Sequence, residues 1–230
     1  RYPFRAQEDD EHWEVIDDED ALFTGDVATD GSRIGNWKEL GRTGWAGVML
    51  SNDSMQVSLA LCGPLRVDLP VQRTIARAEL YAVWKVLVNC VPPVRLQVDC
   101  GLVLDGVAKG RRWCTHSSRP HADVWALVWA KLDDLGLCDD GATVLKIAAH
   151  LSKQNKLAME PAQLKLHVAN EQADIRAKLR ARPGAHPFRA FLGPAVTPSR
   201  IQITHAPGAL PLPAPVVNHA HVTLRPLHHP

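Results

Sequence analysis

The stretch Ala28-Thr29-Asp30-Gly31-Ser32 ends an apolar segment with an acid and then a glycine. Residues 21–30 are typical of a β-strand, and the following Gly31-Ser32 predicts that the strand stops there. A carboxylate at such a point is usually a turn former on the protein surface. A functional interpretation of Asp30 becomes possible if other carboxylates of the chain are predicted to reach the same end of a sheet.

Two more strands are predicted directly after the first. Residues 44–51, with the sequence GWAGVMLS, form the second strand, and residues 55–62, MQVSLALC, form the third. The Ser51-Asn52-Asp53-Ser54 segment between them has the composition of a tight turn. The three strands are therefore predicted to form an antiparallel meander.

Alternating helices and strands follow this meander. Apolar residues at helical spacing and the breaker Pro92-Pro93 predict a helix over residues 74–89. Alternation of apolar and polar residues predicts a strand over residues 94–99. The remaining predicted elements are a short helix at 102–109, a helix at 121–135, a fifth strand at 143–148 and a last helix at 169–181. The order βββαβαβα predicts a mixed α/β (α+β) fold with a five-stranded mixed sheet and helices on both faces.

Glu79 is predicted to face the sheet rather than water. Its neighbours at helical spacing are all apolar, namely Ile75, Ala82, Val83 and Val86. A glutamate is rarely buried without a partner. The carboxylate therefore needs a partner, unless it reaches water at the edge of the apolar stripe.

Two further acids belong with Asp30 and Glu79. Asp99 ends the predicted strand at 94–99, at the kind of strand end where ligand sites form, and Asp174 lies on the last predicted helix. Converging carboxylates cannot all stay ionised unless cations neutralise them. Two divalent ions held by such a cluster are the machinery of in-line phosphoryl-ester hydrolysis. Each acid alone suits an ordinary structural role, so the prediction depends on their combination.

The overall charge places this cluster in a basic body with an acidic leader. The chain has 230 residues, of which 46% are hydrophobic, and a formal net charge of +1. Residues 1–20 hold nine acids and two arginines, which leaves 24 Lys+Arg and 16 Asp+Glu in residues 21–230. A basic body suits a polyanionic ligand, although a solvated surface beside an acidic tail accounts for the same numbers.

Three regions are predicted along the chain. Residues 1–20 form an acidic disordered leader, residues 21–182 the folded domain, and residues 183–230 a disordered tail. The tail holds ten of the 17 prolines and six of the 11 histidines, and it has no acid. Because the sequence begins with Arg1 rather than Met, we expect a fragment of a longer protein.

Cysteine usage and hydropathy predict an intracellular protein. The five cysteines form no CxxC pair, so we expect reduced thiols in the cytoplasm or nucleus and no secretion. No apolar run approaches the roughly 18 residues of a membrane span, and no signal peptide is visible. We expect a monomeric domain without a membrane partner.

The motifs taken together resemble type 1 ribonuclease H, and especially the ribonuclease H domains that accompany reverse transcriptases in retroelements. The similar segments are the Asp30 motif, Gly44-Trp45-Ala46-Gly47-Val48, Ala76-Arg77-Ala78-Glu79-Leu80-Tyr81-Ala82, Val98-Asp99, Ala149-His150 and Ala169-Asn170-Glu171-Gln172-Ala173-Asp174. The resemblance covers about residues 21–182. It implies a ribonuclease H-like fold for this domain.

The resemblance also implies roles for single residues. Asp30 would bridge two Mg²⁺ ions, with Mn²⁺ as an alternative metal. Glu79 and Asp99 would complete the shell of one ion, and Asp174 would help to hold the other. His150 matches the mobile histidine of the family, which assists proton movement or product release. Carboxylates are the ligands that Mg²⁺ prefers, which agrees with these residue types.

The sequence departs from the family beyond His150. Here 19 residues separate His150 from Asn170, and Ala169 stands where the family has a glycine. This insert, residues 151–168, carries Lys153, Lys156 and Lys165. It either forms a helix that touches a phosphate backbone or is a tolerated loop.

Residues outside the acidic cluster are candidates for nucleic-acid binding. Ser32 and Asn170 flank the acids in sequence. Basic residues beside an aromatic follow Asp99 at a distance, in the segment that contains Lys109, Arg111, Arg112 and Trp113. A solvated loop around a packed tryptophan is the equally open alternative. The tryptophans at helical positions, Trp84, Trp125 and Trp129, are predicted to belong to the core.

The resemblance, together with the acidic residues, therefore implies a metal-dependent endoribonuclease that cuts the RNA strand of RNA–DNA hybrids. The domain would lie within, or derive from, a retroelement polyprotein with an upstream reverse transcriptase domain. Two alternatives stay open. One is a catalytically inactive nucleic-acid-binding module with the same fold. The other is a 3′–5′ exonuclease of the same superfamily, which the Asp30-Gly31-Ser32 motif disfavours because those enzymes resemble Asp-x-Glu at this point.

Overall fold

The strands of the protein were located in a computed structural model, which describes residues 11–15, 21–35, 41–65, 73–137, 144–148 and 151–182. Six strands occur among these residues: β1 (His12–Val15), β2 (Phe23–Ile34), β3 (Arg42–Leu50), β4 (Val57–Pro64), β5 (Cys90–Val98) and β6 (Val144–Lys146). They form one sheet in the order β1-β4-β3-β2-β5-β6. The β1, β4, β3 and β2 strands pair antiparallel, whereas β2, β5 and β6 pair parallel. The predicted mixed sheet is thereby confirmed, with six strands rather than five.

Six helices occur in the described part of the chain. Their bounds are α1 (Ile75–Val88), α2 (Gly101–Lys109), α3 (Arg111–Cys114), α4 (Ala122–Asp134), α5 (Lys153–Leu157) and α6 (Pro161–Arg180). The α1 helix begins where the Thr74 side chain accepts a hydrogen bond from the backbone N–H of Arg77, and it ends at Asn89. The cap satisfies one of the free N–H groups of the first turn, which explains the sharp start.

The helices cover both faces of the sheet, as predicted. On one face α1 packs against β2 and β3, and α4 packs against α1. This side contains the larger core, where Trp125 and Trp129 are buried and Trp84 packs at the margin. On the other face α6 packs against β2, β3 and β4 through a stripe of small residues, Ala169, Ala173 and Ala177.

The β2 strand is longer than the sequence predicted. Gly31-Ser32 was expected to end it, but the ladder with β3 continues through Ile34. Asp30 therefore lies inside the strand, and a close approach rather than a turn requires the glycine after it. Glycine is typical both of a turn after a strand and of a strand position that another backbone approaches closely, so the sequence alone did not distinguish the two.

The N-terminal stretch His12–Val15 corrects the prediction of a leader disordered throughout. It pairs with β4 in antiparallel register, with His12 opposite Cys62. The Trp13 ring stacks on Phe23 with centroids 6.1 Å apart, and the Arg176 guanidinium of α6 binds the Glu14 carboxylate. The acid-rich composition of this segment predicted disorder, because composition does not show that Glu14 is paired with Arg176 of the domain. The remainder of the predicted leader, 1–10 and 16–20, and the predicted tail lie outside the described residues.

The last helix begins earlier than predicted. Pro161 occupies the first turn of α6, so the helix starts eight residues before the expected Ala169. Proline suits this position because its missing N–H has no intrahelical partner there. Most of the insert, residues 151–168, is thus helical, because it contains α5 and the first residues of α6.

Within the part of the chain that the structure describes, no helix is both long and apolar enough to cross a membrane. The described cysteines, Cys62, Cys90, Cys100 and Cys114, are free thiols, as expected.

Candidate metal centre

Asp30 and Asp99 are brought together by the parallel pairing of β2 and β5. Thr29 lies opposite Val98 in this ladder. Asp30 follows Thr29 within β2 and Asp99 follows Val98 directly after β5, so the two acids lie at neighbouring positions. Cys100 is the N-cap residue of α2. A strand end in a parallel pair is where ligand sites commonly form, and here it supplies two carboxylates.

Glu79 reaches the same place because α1 crosses β2 at very short range. A Cβ atom added to Gly31 would lie 2.3 Å from the backbone nitrogen of Glu79 and 2.6 Å from the carbonyl carbon of Ala78. Any side chain at position 31 would hold the helix away from the strand. The glycine thus allows the first turns of α1 to place Glu79 beside Asp30.

The three carboxylates form one cluster. Asp30, Glu79 and Asp99 each offer an oxygen, and these atoms all lie within 4.8 Å of one another. Asp30 is 6% exposed and Glu79 is 4% exposed. The Oδ2 atom of Asp30 and the Oε2 atom of Glu79 are buried and have no hydrogen-bond partner among the described residues. Buried polar atoms are normally paired, so one oxygen of each carboxylate is free to bind a cation.

Burial and mutual repulsion favour the neutral form of the two buried acids. Burial is the largest cause that raises the pKa of Asp30 to about 7, followed by the negative charges of Asp174 and Asp99. Burial also raises the pKa of Glu79 well above its usual range, with the charge of Asp30 as the next cause. Hydrogen bonding by the Gly31 backbone and the Lys178 charge oppose the shift at Asp30. A cation placed among these groups would reverse the shift.

Asp174 lies near the cluster but is not part of it. Its negative charge is among the causes that raise the pKa of Asp30 and of Glu79. Its Oδ2 atom accepts a hydrogen bond from the Nζ atom of Lys178 at 2.6 Å. Among the described residues, the cluster of candidate metal ligands contains three of the four predicted acids, and a lysine engages the fourth.

The donor set fits a hard divalent cation. All three groups are carboxylates, which suit Mg²⁺ and Mn²⁺ better than thiophilic metals. The unpartnered oxygens of Asp30 and Glu79 point to the same conclusion, since a buried carboxylate without a donor is stabilised by a cation. Asp30, Glu79 and Asp99 are therefore the residues that would hold such an ion, with Asp174 next to them.

Two of the predicted nucleic-acid contacts flank this cluster. Ser32 lies two residues beyond Asp30 in β2 and is 8% exposed. Asn170 is 6% exposed and lies one helical turn before Asp174. The Oδ1 atom of Asn170 is buried and has no hydrogen-bond partner within the described part of the chain. The role of Ser32 and Asn170 in nucleic-acid binding stays a prediction, and this oxygen is an acceptor that a ligand could use.

The predicted basic segment forms a compact surface on α2, α3 and the turn after them. The Lys109 Nζ atom lies 4.5 Å from the centre of the Trp113 ring, and the Arg119 guanidinium lies 4.2 Å from it. Such cation–π contacts hold the two charges in place. Arg112 is exposed beside them, whereas Arg111 forms an ion pair with Asp133. We call Lys109, Arg112, Trp113 and Arg119 the basic surface.

The insert lysines make contacts within the protein. Lys156 forms an ion pair with Glu171, and the Lys165 Nζ atom donates a hydrogen bond to the carbonyl oxygen of Asn52 at 3.3 Å. These contacts anchor the insert to α6 and to the turn between β3 and β4. The side chain of Lys153 and the whole of His150 lie outside the described residues.

Two residues near the cluster were not singled out from the sequence. Gly31 was taken for a turn residue, and Lys178 was not considered. The signal for Lys178 was available, because a lysine four residues after an aspartate on a helix is placed to pair with it. The close approach at Gly31 depends on tertiary packing and left no local signal.

Comparisons with known proteins find similarity in structure alone. The sequence matches no protein-family model, and a comparison with curated proteins finds no match. The PFV ribonuclease H domain is 19% identical over 68% of this chain and 93% of that one, with a TM-score of 0.46. The N-terminal ribonuclease H domain of a Mycobacterium tuberculosis protein is 14% identical over 70% and 94%, with a TM-score of 0.43.

A longer structure gives a similar result. A foamy viral protease-reverse transcriptase in complex with an RNA/DNA hybrid is 16% identical over 68% of this chain and 20% of that chain, with a TM-score of 0.45. The mixed sheet with helices on both faces agrees with the mixed α/β fold that the sequence predicted.

Proposed function

We propose that the protein is a metal-dependent nuclease that hydrolyses the RNA strand of RNA–DNA hybrids. The observation that carries the proposal is the cluster of Asp30, Glu79 and Asp99, whose oxygens lie within 4.8 Å of one another. Two of these carboxylates are buried and each has an oxygen without a partner. An arrangement that is unfavourable for an isolated protein is favourable for a divalent-metal site.

Each acid of the cluster contributes differently to the reaction. An oxygen of Asp30 lies within 4.8 Å of oxygens of both Glu79, on α1, and Asp99, directly after β5, so Asp30 is the group that would be shared between two ions. Asp174 is placed to hold a second ion once its bond to Lys178 is broken. Bound Mg²⁺ would polarise the scissile phosphate and lower the pKa of an attacking water. His150 keeps its predicted role in proton movement.

The basic surface is proposed to bind the nucleic-acid backbone. Lys109, Arg112 and Arg119 are exposed, and contacts with Trp113 restrain two of them. Phosphates bound there would orient the duplex, while contacts near the carboxylates would test for a 2′-hydroxyl. Ser32 and Asn170 are the candidates for those contacts, because both flank the cluster. Arg111 drops out of this set, since Asp133 already neutralises it.

The nuclease is also proposed to belong to a retroelement polyprotein, with a reverse transcriptase domain upstream. This context rests on the sequence motifs around Asp30, Glu79 and Asp174. A non-catalytic binding module with the same fold is the second candidate. The observation that favours it is the ion pair between Asp174 and Lys178, which occupies the fourth carboxylate.

One assay on the full 230-residue chain separates these functions. The chain is incubated with labelled RNA–DNA hybrid, duplex DNA or duplex RNA in Mg²⁺ or Mn²⁺. Internal cuts confined to the RNA of the hybrid support the proposal. Tight binding without cuts supports the binding module, and stepwise shortening from a 3′ end supports an exonuclease.

The Asp30→Asn variant tests the site in the same assay. We expect at least a ~10³-fold slower reaction, equivalent to about 4 kcal/mol of barrier, because the shared ligand loses its charge. The matched control is Asp105→Asn, which neutralises an exposed aspartate on α2. Equal rates for Asp30→Asn and the unsubstituted chain would rule out the site.

A further inference from the structure

Two side-chain contacts join the N-terminal ends of α1 and α4. The Arg77 guanidinium binds the Asp123 carboxylate through two hydrogen bonds, from Nη1 to Oδ1 at 3.0 Å and from Nη2 to Oδ2 at 2.5 Å. Three residues before Arg77, the Oγ1 atom of Thr74 lies 3.3 Å from the Nε2 atom of His121. We call Thr74, Arg77, His121 and Asp123 the helix junction. They belong neither to the acidic cluster nor to the basic surface.

Arg77 restricts the packing of α1 on α4 to one geometry. The residue is 2% exposed, so its charge has little access to water. Separation of a buried guanidinium from its carboxylate is costly, which favours a single arrangement of the two helices. Two parallel hydrogen bonds also define direction as well as distance. The apolar contacts between α1 and α4 lack this property, because hydrophobic attraction is non-directional.

His121 has an unusual backbone conformation for the N-cap residue of a helix. Its φ of 62° lies in the left-handed region, whereas N-cap residues usually have an extended backbone. Its side chain makes no cap hydrogen bond to α4 and reaches Thr74, the cap residue of α1, instead. Strained residues of this kind persist where surrounding contacts over-determine them. The imidazole is therefore placed to tie the start of α4 to the start of α1.

The basic surface is carried by the same group of helices as the junction residues of α4. Arg119 lies two residues before His121, in the turn that leads into α4. The α2 helix, which ends at Lys109, packs on α4 so closely that a Cβ atom added to Gly106 would lie 2.1 Å from the Trp125 ring. The α2, α3 and α4 helices therefore form one unit that presents the basic surface.

This unit is connected to the acidic cluster at two places. Asp99 directly precedes Cys100, the N-cap residue of α2, and Glu79 lies two residues after Arg77 on α1. A unit joined only at the start of α2 could pivot about that point. The helix junction supplies a second, directional connection that opposes this rotation. The spacing between the basic surface and the acidic cluster therefore depends on the junction.

We propose that the helix junction sets the position at which a bound hybrid is cut, by fixing the distance between the basic surface and the cluster of Asp30, Glu79 and Asp99. The inference rests on the function proposed above, since it concerns the same substrate and the same carboxylates. Arg77 and His121 are positioning residues here, because each acts through an element that carries a functional group. A phosphate held at the basic surface would lie a constant number of nucleotides from the scissile phosphate.

The test scans a hybrid with neutral phosphates. The full chain receives a duplex in which one strand contains a short block of ribonucleotides, so that the cut falls at a defined place. Single methylphosphonate groups, which carry no charge, replace successive phosphates on either strand. For the unsubstituted chain, we expect KM to rise roughly tenfold at one or two adjacent positions in about 0.1 M salt, as for the loss of one phosphate contact. Arg119→Ala should remove the effect at the position that Arg119 contacts.

The junction variants are Arg77→Lys and His121→Gly. Lysine keeps the buried charge but loses the paired hydrogen bonds, and glycine suits a φ of 62° while it removes the imidazole. In both variants, the rise in KM at the sensitive position should fall to roughly threefold or less, and neighbouring positions should become sensitive. The matched control is Arg95→Lys, which changes the exposed pair with Asp26 in the same way and should keep the sharp pattern.

Each outcome decides the inference or the function beneath it. Sharp sensitivity at the same positions in both junction variants overturns the inference, because a merely structural role lowers kcat without moving the pattern. A pattern that Arg119→Ala leaves unchanged also overturns it, since the turn before α4 then holds no phosphate. If urea unfolding shows that Arg77→Lys is not folded, His121→Gly decides alone. No cutting by the unsubstituted chain overturns the proposed function and this inference together.

Discussion

Asp30 is the residue on which the proposed chemistry of the site depends. It is buried beside Glu79 and Asp99, and its pKa is raised to about 7, chiefly by burial. The folded protein thus binds a proton at Asp30 more tightly than the unfolded chain does. A divalent cation bound at the proposed site would therefore compete with protons for the same oxygens.

The first prediction concerns stability without metal. Because the pKa of Asp30 is higher in the folded state, its contribution is fully present below about pH 4 and is lost as the pH rises from about 4 to about 7. Asp30→Asn removes this loss, so it should raise the free energy of unfolding at pH 8 by roughly 2–4 kcal/mol. Urea unfolding in EDTA between pH 4 and pH 8 measures the difference.

Addition of Mn²⁺ provides the complementary result. At pH 8 it should stabilise the unsubstituted chain but not Asp30→Asn, because binding to the folded state adds to stability. Asp105→Asn is the control and should keep both the pH dependence and the response to Mn²⁺. Identical pH slopes for the unsubstituted chain and Asp30→Asn would contradict this account of the site.

A second prediction belongs to Gly31. Replacement by alanine places a Cβ atom 2.3 Å from the Glu79 backbone nitrogen, so α1 or β2 must move. We expect a loss of roughly 2–3 kcal/mol in the free energy of unfolding, together with weaker Mn²⁺ binding. Thermal unfolding and calorimetry measure the two effects.

The matched control is Gly101→Ala. An added Cβ atom at Gly101 would meet no other atom within 4 Å. Alanine there, in the first turn of α2, should leave stability unchanged or slightly higher. A similar loss for both variants would mean that the close approach at Gly31 is not the cause.

At the scale of elements, β1 is the feature that changes the domain boundary. The acids at β1 pair with helices on both faces of the sheet, since Lys85 of α1 pairs with Glu11, directly before the strand, and Arg176 of α6 pairs with Glu14 within it. The strand also supplies the edge partner of β4. The helices that carry Glu79 and Asp174 are thereby joined at one edge of the sheet.

The third prediction compares two truncated chains. A chain that starts at residue 16 should be less stable than one that starts at residue 11 by roughly 1–3 kcal/mol, because it loses the β1–β4 ladder and the Trp13–Phe23 contact. Urea midpoints under identical conditions measure the difference. Equal midpoints would show that β1 contributes nothing to the folded state.

The sequence predicted elements well where a local signal was strong. Thr74 and Asn89 bound α1 as expected, because the cap and the helical apolar spacing are local properties. The burial of Glu79 was predictable for the same reason. The start of α6 and the strand β1 were missed, because both depend on tertiary contacts made by polar residues.

The candidate site was partly predictable. The convergence of Asp30 with Asp99 follows from parallel pairing, which the order of elements indicated. The pairing of Asp174 with Lys178 was not predicted, although their spacing of four residues on one helix was a local signal for it.

For the whole molecule, charge is distributed between two sites with opposite sign. The acidic cluster lies where β2, β5 and α1 meet, and the basic surface lies on α2, α3 and the following turn. A duplex that contacts both would be held by its phosphates at one site and cut at the other. Affinity should then depend on salt far more than cutting chemistry does.

The fourth prediction follows from that separation. Arg119→Ala should weaken hybrid binding for all sequences and reduce the slope of log K against log salt by about 1, as expected for one lost phosphate contact. Binding isotherms at several salt concentrations measure the slope. The control is Arg95→Ala, because the Arg95 guanidinium already binds Asp26. An unchanged slope for Arg119→Ala would exclude Arg119 from the interface.

The Trp113 ring has a consequence for what the protein can distinguish. Two cations lie over it, and the ring also packs against the larger core. Little aromatic surface is left on which a nucleobase could stack, so nucleic-acid binding at the basic surface would come from charge alone. A protein that holds its substrate in this way should process transcripts of any composition at comparable rates, with its preferences set by strand chemistry rather than by the order of bases.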